Sequence, residues 1–232
     1  MTNSTILITG ANRGIGLEFT RQFSEDGWQV LACCRDPEGA KDLQSLAAGC
    51  SQIKIFPLDV TDYDQLAALS SQLQDQSIDI LLSNAGIYGP RGNAFGKVDV
   101  EAWRQVFEVN TIAPLMLAQA FVAQVAASRQ KLIAMISSKM GSIEDNGSGG
   151  GYIYRSSKTA LNQVVKSLSA DLTEPGVSVI SLHPGWVKTD MGGASAETDV
   201  EQSVAGLKQI LTRAGHAQSG QFFDFDGSVI PW

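Results

Sequence analysis

Seven short apolar runs, spaced along 232 residues and separated by helix-like stretches, constrain this chain more than any other feature. They are Ile6-Leu7-Ile8 within Ser4 to Thr9, Val30 to Cys34, Ile53 to Phe56, Ile78 to Leu82, Leu132 to Ile136, Val177 to Leu182 and Phe222 to Phe225. Strands this apolar on both faces must be covered on both faces, which is the condition of a parallel sheet. The stretches between them supply the cover. Gly16 to Glu25 carries Leu17, Phe19 and Phe23, Asp62 to Leu73 repeats Leu66, Leu69 and Leu73, and Asp99 to Ala127 and Ser156 to Leu172 are longer helical patterns. Right-handed crossovers then wind the chain into a doubly wound α/β sheet with helices on both faces. No linker, repeat or shift of composition divides residues 1–232, so one domain is expected. Tyr88 to Gly96, Gly141 to Gly151 and Pro184 to Thr198 lack regular pattern and read as loops at the ligand crevice.

The loop after the first run is Thr9-Gly10-Ala11-Asn12-Arg13-Gly14-Ile15-Gly16. Gly10 permits the turn out of a strand, Gly14 clears room for a diphosphate, and Gly16 lets helix and strand approach. The helix start beyond it offers free N–H groups to an anion. Strand, loop and helix in this order point to a dinucleotide. At the tip of the second strand, Cys33-Cys34-Arg35 has no carboxylate, although Asp36 follows. Arg35, with Arg13, is placed to clamp a ribose 2′-phosphate, so NADP(H) is expected over NAD(H), with NAD(H) possible.

Tyr154 and Lys158 stand at i and i+4 of a helix pattern, on one face. A nearby ammonium favours the phenolate, so the spacing predicts a Tyr154 pKa lowered toward neutrality and a role in proton transfer.

With these residues assembled, the chain resembles the short-chain dehydrogenase/reductase family in its ordinary-length form, over nearly its whole length. The motifs stand in family order: the glycine loop, Asp59-Val60, Asn84-Ala85-Gly86, Asn110, Ser137-Ser138, Tyr154 with Lys158, and Pro184-Gly185 followed by Val187 to Met191. The C-terminal Phe225-Asp226-Gly227 to Pro231-Trp232 looks most like a C-factor-like subgroup, beside carbonyl reductases. The resemblance implies a Rossmann-type fold with strand order 3-2-1-4-5-6-7, and an enzyme that interconverts a carbonyl and an alcohol by hydride transfer.

It also implies roles. Tyr154 is the general acid/base, Lys158 binds the nicotinamide ribose, Ser138 bonds the reacting oxygen, and Asn110 holds a water linking Lys158 to solvent. Gly10, Asn12, Arg13, Gly14, Ile15, Gly16, Arg35, Asp59, Val60, Asn84, Ala85, Gly86, Tyr154, Lys158, Pro184, Gly185, Val187 and Thr189 form the cofactor site. Fifteen residues separate Ser138 from Tyr154, a few more than the family's dozen, and Ser142 is the alternative should the serine be displaced. Tyr88, Met140, Trp186 and Met191, with Phe95 and Ile143, are expected to wall an apolar substrate pocket. His183 is expected to be packed or partnered rather than catalytic, and Asn84 to tie strands together.

Charge and composition exclude other classes. A net charge of −7 offers no basic surplus for nucleic acid. No uninterrupted apolar run reaches the ~20 residues of a membrane helix, and the N-terminus lacks a secretory pattern, so a cytoplasmic protein without a membrane partner is expected. Three cysteines and two histidines suit neither a disulfide framework nor a zinc site, so no metal is expected. A hydrolase using Ser138 lacks the Gly-x-Ser-x-Gly elbow. The rival of another class is a cofactor-binding regulatory protein. The Ala-rich faces of the two long helices would suit a homodimer or homotetramer.

Overall fold

The computed structural model describes residues 4–92 and 94–232. Seven strands form one parallel sheet: β1 (Thr5–Thr9), β2 (Gln29–Cys34), β3 (Ile53–Pro57), β4 (Ile80–Ser83), β5 (Leu132–Ile136), β6 (Ser178–His183) and β7 (Phe222–Asp224). Their order is β3-β2-β1-β4-β5-β6-β7, as expected. In register, Ile6 lies beside Val30 on one side and Ile80 on the other.

The period of two sorts the core into two layers. Ile6, Ile8, Val30, Ile80, Leu132 and Ile180 face α1 (Gly14–Glu25), α2 (Lys41–Ala48) and α7 (Val200–Arg213), and are packed there by Phe19, Phe23, Leu43 and Leu207. Leu7, Leu31, Leu81, Ile133 and Val179 face the other way. They meet α3 (Tyr63–Gln72), α5 (Ala113–Ala126) and α6 (Tyr152–Asp171) through Leu69, Phe121 and Val165. The helices α2 and α7 are elements that the apolar pattern did not single out, and α1 and α6 begin two and four residues earlier than it placed them.

The long helical stretch is not uniform. It runs as α4 (Val100–Phe107), a π-helical turn Glu108–Ile112, and then α5. Asp99 caps α4, its carboxylate accepting from the N–H groups of Glu101 and Ala102. By length and composition Val100–Ala126 is apolar enough to cross a membrane. In this fold it is a core element, burying Val106, Leu117, Phe121 and Val125. Among the described residues, no group of three or more His, Cys, Asp or Glu is placed to hold a metal ion.

The sheet order reverses at β1, whose neighbours are β2 and β4. In such sheets the ligand crevice opens beyond the strand C-termini at this point. The loops after β1, β4, β5 and β6 therefore converge on one place, and they carry the motifs.

Candidate functional site

The glycine loop forms a cradle at the end of β1. Gly14 has φ +53°, a left-handed conformation that favours glycine. A Cβ at Gly16 would collide with the Gly10 carbonyl and lie 2.6 Å from Asn84 Nδ2. Arg13 stands at the N-cap of α1 and makes no side-chain capping bond, and no acidic residue lies in the first turn of the helix. The helix start is thus free of competing side-chain acceptors, and a diphosphate fits it. Asn84 does not project into this space. Its Nδ2 donates to the carbonyls of Thr9 (2.9 Å) and Gly10 (3.2 Å), so it holds the cradle rather than the ligand.

Around the cradle, Arg35 stands exposed at the end of β2. The Asp36 carboxylate is engaged in its own turn, accepting from the Gly39 N–H at 3.0 Å. Asp59 accepts from the Thr61 N–H (2.9 Å) and hydroxyl (2.8 Å). These bonds, and more weakly the charge of Arg35, hold its carboxyl below the usual range. Val60 packs against the core. Arg13 departs from the expected free clamp: its Nη1 pairs with Asp190 Oδ2 at 2.7 Å. The loop after β6 lies across the cradle at this point, since a Cβ on Gly14 would come 3.3 Å from Thr189 Cγ2.

The proton-transfer residues gather beside it. Ser138 ends the segment after β5, and its Oγ accepts from the Met140 N–H at 3.2 Å. Ser137 is turned inward, donating to Asn162 Oδ1 at 2.7 Å, and Ser142 is bonded to the Asp145 N–H and the Trp232 carbonyl. Of the three serines, Ser138 lies at the phenol: a hydrogen bond from Ser138 acts on Tyr154 and pulls its pKa down. Burial outweighs that pull and lifts the phenol to about 12, with Tyr88 adding to the rise. Tyr88 stacks on Tyr154, ring centroids 4.6 Å apart.

Lys158 does not lower the phenol, contrary to the expectation from spacing. Its Nζ donates to the Ile136 carbonyl at 2.8 Å and lies 5.8 Å from the Tyr154 ring centroid. The side chain is 4% exposed, and burial lowers its own pKa to about 8. The expected Asn110 water link takes a different form. From the π turn, Asn110 Nδ2 donates to the Ile87 carbonyl (2.8 Å) and Ser157 Oγ (3.1 Å), while Oδ1 accepts from the Ile87 N–H (2.9 Å). Asn110 thus clamps the loop Ala85 to Ile87, and Gly86 lets that loop approach, since a Cβ there would sit 3.2 Å from Asn110 Oδ1.

Ser138 and Tyr154 open onto a cavity of about 740 Å³, whose lining does not include Lys158, Asn110 or Gly86. Ile15, Tyr88, Ser138, Tyr154, Val187 and Thr189 line it, as do Met140, Trp186 and Met191. Pro184 and Gly185 complete its floor. Phe95 (89% exposed) and Ile143 (72%) point to solvent and are not part of the wall. His183 lines the cavity, and its buried Nδ1 has no hydrogen-bond partner, so of the two expected states, packed or partnered, that nitrogen is packed.

Three further residues matter that motif reading passed over. Asn162, one turn beyond Lys158, accepts from both Ser137 and Ser181 (2.9 Å) and so fixes α6 to β5 and β6. Its place at i+4 from Lys158 is a visible signal, though only the fold gives it partners. Arg155 and Lys139 also line the cavity, directly after Tyr154 and Ser138.

Comparison with known proteins agrees with this geometry. Residues 4–200 match the model of the short chain dehydrogenase family. The C-signal of Myxococcus xanthus is 36% identical over 167 residues, covering 72% of this chain and all of that protein. Among solved structures, the carbonyl reductase Sniffer of D. melanogaster superposes with a TM-score of 0.93 at 36% identity, each chain fully covered. An NADPH-bound carbonyl reductase from chicken fatty liver gives 0.92, also at 36% identity and full coverage. By its motifs, its sheet order and these likenesses, the chain belongs to the short chain dehydrogenase family and is an NAD(P)-dependent oxidoreductase.

Proposed function

We propose that the protein is an NADP(H)-preferring carbonyl reductase acting on a small-molecule aldehyde or ketone, and running in reverse on the alcohol. The observation that carries this is the meeting of Ser138 and Tyr154 in one cavity with the glycine cradle at its edge. When bound, the nicotinamide supplies or accepts the hydride. The chain does the rest. Gly10 to Gly16, with Asn12, Ala85, Pro184, Val187 and Thr189 around the crevice, would hold the cofactor. A phenol with a pKa near 12 is fully protonated at neutral pH, so Tyr154 is a donor ready for the oxygen of a carbonyl. Ser138 holds that oxygen beside the donor, and Lys158 places a buried positive charge below the site.

NADP preference rests on Arg35, the exposed cation at the tip of β2, and on the engagement of Asp36 in its own turn. Arg35→Ala should raise the Kd for NADPH about tenfold or more and leave NADH nearly unchanged, as a charge-assisted contact is worth ~1.5–3 kcal/mol. Fluorescence titration with both cofactors reads this; equal losses would remove Arg35 from phosphate recognition.

A pH dependence follows from Lys158. Burial disfavours its ammonium, so the charge is present below about 8 and lost as pH rises through it. The kcat/KM for NADPH, which reports the free enzyme, should therefore decline above about pH 8. A profile flat well into alkaline pH would show that the cation is not needed. We place the protein in the cytoplasm as a homodimer or homotetramer through its long helices, where Ile112 and Tyr152 are exposed; sedimentation reads the oligomer.

A further inference from the structure

We propose that the substrate of this reductase is an anion, whose carboxylate is held in the cavity by Arg155 with Lys139 beside it. The proposal rests on the reductase reading above and deepens it.

The charge at the cavity is opposite to that of the chain. In a protein of net charge −7, the lining carries three cations, Arg91, Lys139 and Arg155, against one carboxylate, Asp145. Asp145 is already engaged, 3.1 Å from Lys139 Nζ. Among the described residues no carboxylate lies within ion-pair distance of Arg155 or Arg91.

Arg155 lines the cavity without an ion-pair partner among the described residues. Its guanidinium donates from Nη1 to the Met140 carbonyl (3.2 Å) and from Nη2 to Ser148 Oγ (2.9 Å), both neutral acceptors. Its Nε is buried and has no acceptor. Nε is closed off from the cavity, so what Arg155 lacks is a counter-ion rather than a hydrogen bond, and a carboxylate in the cavity would supply one through the remaining Nη hydrogens. Of three buried side-chain polar atoms without a partner among the described residues, two belong to residues lining this cavity: Arg155 Nε and His183 Nδ1. The third, Gln124 Oε1, is on α5, and Gln124 does not line the cavity. The glycine run Gly149 to Gly151 packs against Arg155 by backbone alone, a Cβ at Gly151 coming 3.7 Å from Nε, and the loop brings no counter-ion to the guanidinium, only Ser148 Oγ.

Position ties the cation to the reaction: Arg155 and Lys139 line the same cavity of about 740 Å³ as Tyr154 and Ser138, so an anion held there shares that cavity with the reacting carbonyl. The cofactor's phosphates are served elsewhere, by the cradle of α1 and by Arg35. Between the two ends, Tyr88, Met140, Trp186 and Met191 give an apolar wall. The ligand that fits is an apolar body with a carbonyl at one position and a carboxylate at another.

The test compares para-carboxybenzaldehyde and straight-chain ω-aldehyde acids with their methyl esters, each with NADPH. The expected result is a kcat/KM at least about tenfold higher for the best acid than for its ester, shrinking as salt is raised. Lys139→Gln and Arg155→Gln should each reduce that acid-to-ester ratio about fivefold or more. Esters turned over as well as their acids, or a ratio that survives both substitutions and high salt, would overturn the anion site and leave the reductase standing. Should no carbonyl at all be reduced, the reductase reading fails instead. The anion site is then read by calorimetry of para-(hydroxymethyl)benzoate with the NADP⁺ complex. Binding weakened by Lys139→Gln supports it, and no binding overturns it.

Discussion

Tyr154→Phe should lower kcat for NADPH-dependent carbonyl reduction by about a thousandfold, within the ~10²–10⁴ that a positioned proton donor contributes. The substitution removes one oxygen and leaves the ring. The stack on Tyr88 at 4.6 Å remains, as does the Lys158 bond to the Ile136 carbonyl. The glycine cradle and Arg35 are untouched, so the Kd for NADPH should stay within about threefold, well under the ~1.4 kcal/mol of a tenfold change. The specific loss is the hydroxyl that Ser138 bonds, the one proposed to donate to the substrate's oxygen. Buried at a pKa near 12, this phenol has no competing role as a surface charge, so its removal acts on the proton alone. Steady-state NADPH oxidation and fluorescence titration separate the two quantities. A kcat within tenfold of the parent would take the donor role from Tyr154.

The fold was legible because each core strand is apolar on both faces and the helices bury spaced Leu and Phe. Leu7 and Ile8 pack on opposite layers of the sheet, which is what a run of Ile-Leu-Ile requires. The run Ile78 to Leu82 shows the limit of that signal. The strand begins only at Ile80; Asp79 still bonds the Thr5 carbonyl and the Leu132 N–H through its backbone, and its carboxylate accepts from the N–H groups of Thr5, Arg129 and Gln130, a junction that apolar content does not reveal. α2 has one buried residue, Leu43, too little to leave a periodic trace. α7 does carry Val204, Leu207 and Leu211 at helical spacing, but it follows a long irregular segment that hides its start.

At the site, identities were legible and environments were not. Spacing places Tyr154 and Lys158 on one face, yet the direction of each pKa depends on how deeply the fold buries it. Arg13 meets Asp190 across 177 residues, and Asn110 finds Ile87 from a π turn that no local pattern announces. Phe95 and Ile143 failed as wall residues because a loop's direction is set by its ends, not its composition.

Gly141 belongs with these hidden contacts, and Gly141→Ala should destabilise the protein by about 1–3 kcal/mol while lowering kcat, as overpacking against fixed backbone does. A Cβ at Gly141 would lie 2.8 Å from both the Lys158 carbonyl carbon and Cβ, and 3.0 Å from its oxygen. These atoms are helix backbone and the root of a side chain, so they do not swing aside. Neither partner is free to retreat. The turn holding Gly141 is closed by its N–H to the Ser138 carbonyl at 2.7 Å, and its own carbonyl accepts from Thr159 Oγ1 at 2.9 Å. On the other side, α6 is anchored by Leu161, Val165 and Leu168 in the core and by Asn162 to Ser137 and Ser181. The added methyl must therefore widen the gap between Ser138 and Lys158, the two elements that flank the phenol. Gly147, in the same loop, has open space around the equivalent position and no positive φ. Gly147→Ala should stay within about 0.5 kcal/mol of the parent, as substitutions on open surface usually do. Urea unfolding and NADPH turnover on the two variants decide the matter. If Gly141→Ala is as stable and active as Gly147→Ala, the turn is not wedged against α6 and the spacing of Ser138 from Lys158 is not set there.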